Sequence, residues 1–133
     1  NPLTGAGFRV PYRGDVAAPY LSEPRTANAT HSIYFETLGS MGFVGLTVFI
    51  LILMIGFLNC HKIIKSTKFS PGWAWANDFS RMAQASLVGY CVAGAALSIE
   101  FWEGAWLVIL LLSRIQWELK AKTTKNSVEN MKL

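Results

Sequence analysis

From Met41 to Cys60 the chain reads MGFVGLTVFILILMIGFLNC, with apolar residues at every helical phase and no one-sided stripe. A helix of that length covers roughly 30 Å, the thickness of a bilayer's hydrocarbon core. No formally charged side chain occurs between Glu36 and Lys62, so a first transmembrane helix is predicted over residues 41–60. A second uncharged run, Met82–Ile99, lies between Arg81 and Glu100 and is rich in small residues. Ala85, Gly89 and Ala93 recur in it at every fourth position, on one helical face. Helices in lipid associate by close backbone approach rather than by escape from water, so that face is expected to pack on another helix. A third run, Trp106–Ser113, has Glu103 and Arg114 close on either side. With Trp102 and Trp117 at the two interfaces and Arg114 snorkelling, it predicts a short span over residues 102–117.

Before the spans, Pro2, Pro11, Pro19 and Pro24 alternate with Gly5, Gly7 and Gly14. That spacing forbids a long helix and predicts an extended outer loop over residues 1–30. From His31 the pattern changes, and His31, Tyr34, Phe35 and Leu38 follow at i, i+3, i+4 and i+7. This predicts a short amphipathic helix over residues 31–40, lying at the outer interface and feeding the first span. A connection over 61–81 and a tail over 118–133 complete the organisation. The expected fold is an all-α integral membrane protein with about three transmembrane helices.

Composition agrees with this pattern. Hydrophobic residues make up 52% of the 133 residues and charged residues 15%, against roughly 25% charged in soluble domains. Such a chain has too little charge to coat a water-exposed surface, and its hydrophobicity excludes disorder over most of its length. Two cysteines, Cys60 and Cys91, exclude a disulfide-stapled secreted domain. The net charge of +4 would suit nucleic acid, but nine of the twelve Lys and Arg residues lie in the 61–81 connection or after Ser113. That asymmetry places the connection and the tail in the cytoplasm and the first forty residues outside, in a periplasm if the cell is Gram-negative. The cations read as topology signals and lipid-headgroup contacts, and no nucleic-acid partner is expected. Asn1 opens the chain without Met and without the order of a signal peptide, so the chain is expected to be either processed or the C-terminal part of something longer.

Candidate chemistry is sparse. His31 sits at the expected outer interface, where an imidazole takes a proton near neutral pH without help and is the default general base. Taken alone, a single interfacial histidine is more often an ordinary polar residue than a base. Asp15, Glu23 and Glu36 have no pairing in their spacing, and Asn28-Ala29-Thr30 is a glycosylation sequon by pattern alone. His61 falls on the opposite side of the membrane from His31, and Cys60 and Cys91 at different depths, so no metal site is expected.

Two stretches together resemble a known family. His31-Ser32, nine residues, then Gly42-Phe43-Val44-Gly45 is similar to the His-(Asn/Ser/Gln)-x9-Gly-x-x-Gly signature of the O-antigen ligase and polymerase superfamily. Asn1-Pro2-Leu3-Thr4-Gly5-Ala6-Gly7 is similar to the Asn-Pro-Leu-x-Gly-x-Gly element that opens the same outer loop. HSIYFETLGSMGFVGL looks closest to the O-glycosylation ligase branch associated with exosortase systems. The resemblance covers residues 1 to about 60, and beyond them it is one of pattern more than motif.

The resemblance implies glycan transfer at the outer face of a bacterial inner membrane, from an undecaprenyl-pyrophosphate carrier to an acceptor hydroxyl, with no metal or other cofactor required. His31 would deprotonate the acceptor while arginines neutralise the departing pyrophosphate. Such enzymes have around ten or more spans, and their pyrophosphate-holding arginines come mostly from loops upstream of the matched region. Arg9, Arg13 and Arg25 lie on the correct side but match no family arginine motif; Arg13 is kept as a candidate phosphate contact. Ser40 and Met41 stand where many relatives carry an acidic residue and a His or Thr.

Two readings follow. One is the C-terminal portion of a glycan ligase, inactive as these 133 residues alone, with a lipid-linked glycan and its acceptor as partners. The other is a small non-catalytic membrane subunit of ligase-like ancestry, packed into a larger membrane complex through the Ala85, Gly89 and Ala93 face of the second span and the aromatic-rich third span.

Overall fold

The computed structural model describes residues 1–7, 31–97 and 103–130, and the side chains among these up to Lys125. The described chain is all-helical, with three long helices and no strand among the described residues. Helix α1 is Ile33–Thr67, α2 is Ala74–Gly94 and α3 is Glu103–Asn130; a 3-10 turn, Pro71–Trp73, leads into α2. The helix Ile33–Thr67 is long and apolar enough to cross a membrane. It is broken once, at Gly42, whose φ of 67° and ψ of −167° are not helical.

Helix ends do not coincide with the charge boundaries in the sequence. Lys62 and Lys65 close the uncharged run, yet α1 continues to Thr67, since Lys is a good helix former. The connection over 61–81 is α-helical except at residues 68–73, where Pro71 and Gly72 punctuate it. Ser70 is extended ahead of Pro71, the Ser70 amide donates to Thr67 O (3.1 Å), and the Trp73 amide donates to Ser70 O (2.9 Å). Helix α2 ends at Gly94, with the amides of Ala95 and Ala96 turning back onto Val92 O and Ala93 O. Cys91 therefore lies in the last turn of α2 rather than midway along it. Helix α3 passes through Lys120 and Lys122 without a break.

The chain divides into two compact units, Asn1–Ile52 with Gly89–Trp102, and Leu53–Val88 with Glu103–Leu133. In the second unit the three helices approach closely. A side chain placed on Gly56 of α1 would meet Ile109 Cγ1 of α3 at 3.0 Å and Leu87 Cδ1 of α2 at 3.3 Å, so glycine here sets the helix spacing. The buried positions run Leu53, Gly56, Cys60, Ile63, Thr67 along α1 and Ala76, Ser80, Ala83, Leu87 along α2. Alternating steps of three and four are the 3.5-residue repeat of knobs-into-holes packing. Polar ties reinforce this core: Asn59 Nδ2 donates to Ser113 Oγ (3.2 Å), and Asn77 Nδ2 donates to Ile64 O (3.1 Å) and Thr67 Oγ1 (2.9 Å).

In the first unit, Ile33 is fully buried against Gly94, whose missing side chain leaves room for it. Tyr34 donates its hydroxyl to Cys91 O (3.0 Å) and meets Phe49 edge to face, with ring centroids 6.3 Å apart. The outward sides of the helices are apolar: Val48, Met54 and Leu58 on α1, and Leu107 and Leu110 on α3, are each about half exposed or more.

Candidate functional site

The break at Gly42 creates two helix ends inside one continuous helix. A helix end leaves carbonyls without partners on its C-terminal side and amides without partners on its N-terminal side. Here the first turn of the chain supplies both. Residues 1–5 close a turn in which the Gly5 amide donates to Asn1 O (2.8 Å) and the Leu3 amide to Asn1 Oδ1 (3.2 Å). That turn offers its carbonyls upward and its following amides downward. Pro2 O accepts from the Phe43 amide (3.0 Å) and Leu3 O from the Val44 amide (3.2 Å). The Ala6 and Gly7 amides donate to Gly39 O and Ser40 O, each at 3.0 Å. Four backbone bonds thus cap both sides of the break.

Such an approach demands glycine. Gly5 and Gly42 both have positive φ, 72° and 67°. A Cβ on Gly5 would fall 2.5 Å from Ser40 O, and a Cβ on Gly42 would collide with the Leu3 carbonyl. Gly45, the second glycine of Gly-x-x-Gly, leaves the space that the Met41 side chain fills. The two stretches singled out in the sequence are therefore one structural piece.

His31 stands at the start of the same helical segment, exposed and with φ of 46°. Left-handed backbone is uncommon outside glycine, and histidine is among the residues enriched there. The adjoining residues are fixed: Ser32 is buried and its carbonyl accepts from the Glu36 amide (2.9 Å), and Ile33 and Tyr34 are anchored at the end of α2. The buried residues of this segment are Ile33 and four polar ones, Ser32, Glu36, Thr37 and Ser40, with Thr37 Oγ1 donating to Ile33 O (2.7 Å). Phe35 points outward and is 67% exposed. The segment thus turns four polar side chains into the protein and Phe35 out.

The remaining sequence candidates are placed differently. Arg13, and with it Arg9, Arg25, Asp15, Glu23 and the Asn28 sequon, lies outside the described residues. Ala85, Gly89 and Ala93 are exposed, and nothing stands within 4 Å of a side chain built on Gly89. The face of α2 that packs inside this chain is the opposite one, through Ala83 and Leu87. Cys60 is buried, Cys91 is half-buried, and both thiols are free. No cluster of three or more His, Cys, Asp or Glu side chains able to hold a metal occurs among the described residues. Gly56, Asn59 and Asn77, which hold the helices together, carry no signal in the hydropathy pattern beyond being small or polar within it. Comparison with protein-family models, with curated proteins and with solved structures gives no match.

Proposed function

We propose that this chain is the histidine-bearing, membrane-embedded portion of a glycan ligase, set in a bacterial inner membrane with its first forty residues periplasmic and its C-terminus cytoplasmic. The observation that carries the reading is the clasp: the Asn-Pro-Leu-x-Gly-x-Gly and Gly-x-x-Gly elements interlock through their backbones, on the helical segment that begins beside the exposed His31. The membrane placement is supported by the apolar outer surface, since only 22% of the most apolar window of α1 is buried within the chain.

In this reaction a hydroxyl of the acceptor attacks the anomeric carbon of the donor sugar. The bond from that carbon to the pyrophosphate oxygen breaks, and the pyrophosphate leaves with the bonding pair. His31, as neutral imidazole, accepts the hydroxyl proton as the new glycosidic bond forms. Cationic side chains meet the charge of the departing pyrophosphate, with Arg13 the candidate from this chain.

The test is transfer from an undecaprenyl-pyrophosphate-linked glycan, in proteoliposomes carrying the full gene product. His31→Asn keeps a residue that tolerates left-handed backbone but removes the base. Transfer is expected to fall by about 10²–10⁴-fold, with helical content unchanged by circular dichroism. Retained transfer would remove His31 from the chemistry.

A second reading, a non-catalytic subunit of a larger membrane complex, is favoured by one observation of its own. The Ala85, Gly89 and Ala93 face is uncovered among the described residues and carries only small side chains, so another helix can approach it.

A further inference from the structure

A cavity of about 840 Å³ opens between the end of α1, the Pro71–Trp73 turn and the middle of α3. Lys62, Lys120 and Lys122 line it, with no acidic side chain among the described residues around it. The Lys122 ammonium stands 5.6 Å over the Trp73 ring. Hydroxyls of Ser66, Thr123 and Thr124 also line the cavity, but each donates to a carbonyl of its own helix, so the lysines supply its charge. Three ammonium groups without a counter-charge suit a phosphate, which Lys binds as a point charge.

Trp73 has a second side. It also lines a groove of about 430 Å³ whose other walls include Trp75, Phe79, Leu111 and Ile115. Arg114 and Glu118 at its edge are ion-paired with each other, so the groove carries no net charge. Along α3 the groove is lined from Leu111 to Glu118 and the basic cavity from Gln116 to Thr124, so their centres are about 8 Å apart at 1.5 Å per residue. The apolar groove therefore lies toward the apolar half of α3 and the lysines lie toward its polar end. That is the order of acyl chain and headgroup in a phospholipid.

We infer that this unit holds one anionic phospholipid, its phosphate among Lys62, Lys120 and Lys122 and an acyl chain in the Trp73–Leu111 groove. The site rests on the membrane placement proposed above and not on glycan transfer.

The test uses full-length protein in dodecyl maltoside, with bound lipid counted by native mass spectrometry after addition of dioleoyl phosphatidylglycerol, dioleoyl phosphatidylcholine or inorganic phosphate. Phosphatidylglycerol is expected to be retained at a concentration about tenfold lower than phosphatidylcholine. The triple variant Lys62→Gln, Lys120→Gln, Lys122→Gln is expected to lose that preference, and the triple Lys→Arg variant to keep it. Leu111→Trp, which fills the groove and leaves every lysine in place, is expected to weaken phosphatidylglycerol retention as well. Equal retention of the two lipids, a preference that survives the triple Gln change, or displacement of the lipid by inorganic phosphate would each overturn the site; the last would mark it as one for free phosphate. Flotation with vesicles of phosphatidylcholine and phosphatidylglycerol separates the two ideas. Protein that floats with them without a headgroup preference refutes the site alone, whereas protein that never floats refutes the membrane placement and the site together.

Discussion

Gly5 and Gly42 each occupy the space where the other would carry a side chain: a Cβ on Gly5 would lie 2.6 Å from the Gly42 nitrogen, and one on Gly42 would lie 2.5 Å from the Gly5 nitrogen. The contact is backbone against backbone, so no rotamer change relieves it.

Gly42→Ala is accordingly expected to lose about 1–3 kcal/mol from the left-handed backbone alone, and more from the collision with Leu3. Gly5→Ala is expected to behave alike. In both variants the first seven residues detach, which limited proteolysis reads as new cleavage before Phe8. Gly89→Ala is the control. Its side chain would meet nothing, and losing a helix glycine is expected to gain about 0.5–1 kcal/mol, measured as thermal unfolding in detergent.

Gly89→Leu discriminates between the two readings of the whole chain. If the exposed small-residue face of α2 docks on a partner helix, the bulky side chain is expected to abolish co-purification of that partner. The isolated chain should keep its fold and melt no lower than the wild type, because the position is open and leucine is a better helix former than glycine. A complex that survives Gly89→Leu would show that another face makes the contact.

Asn77 joins the end of α1 to the beginning of α2 with two hydrogen bonds. Asn77→Ala is expected to destabilise by about 1–3 kcal/mol, since Ile64 O and Thr67 Oγ1 both lose a donor. Ser80, three positions before the buried Ala83 and itself fully buried, has no hydrogen bond to its Oγ among the described residues. Ser80→Ala should therefore be neutral or mildly stabilising. The pair is checked by the same unfolding measurement, and a large loss for Ser80→Ala would reveal a partner for that hydroxyl.

The tie between Asn59 and Ser113 is suited to a double-mutant cycle with Asn59→Ala and Ser113→Ala. Side-chain bonds between membrane helices average about 0.6 kcal/mol and reach about 1.7 kcal/mol, and the coupling is expected in that range. Additive effects would show that the 3.2 Å contact contributes nothing to stability.

Particular residues show how much of this was legible beforehand. The long apolar helix was plain, because twenty residues without charge leave few alternatives. Its partners in the core were not. The inward face of α2 runs Ala76, Ser80, Ala83, Leu87, and its outward face includes Met82, Val88 and Val92, so hydrophobicity points away from the packing surface. Regular small residues at 85, 89 and 93 mark a face that is exposed among the described residues. A similar inversion holds at 32–40, where four of the five buried residues are polar and Phe35 is exposed. Both glycine motifs were visible as strings of letters. That Gly5 fits against Gly42 was not, because periodicity describes one element at a time and carries no information on which turn caps which helix.

The clasp also has an entropic consequence. It sets Pro2, Leu3, Ala6 and Gly7 against Gly39, Ser40, Phe43 and Val44. Bringing such distant positions together costs the chain entropy that grows only as the logarithm of their separation, about 0.6 kcal/mol for each doubling. That cost falls once, on the first bond to form. Each of the other three then adds its stability without a further closure, so the clasp forms and opens as one unit.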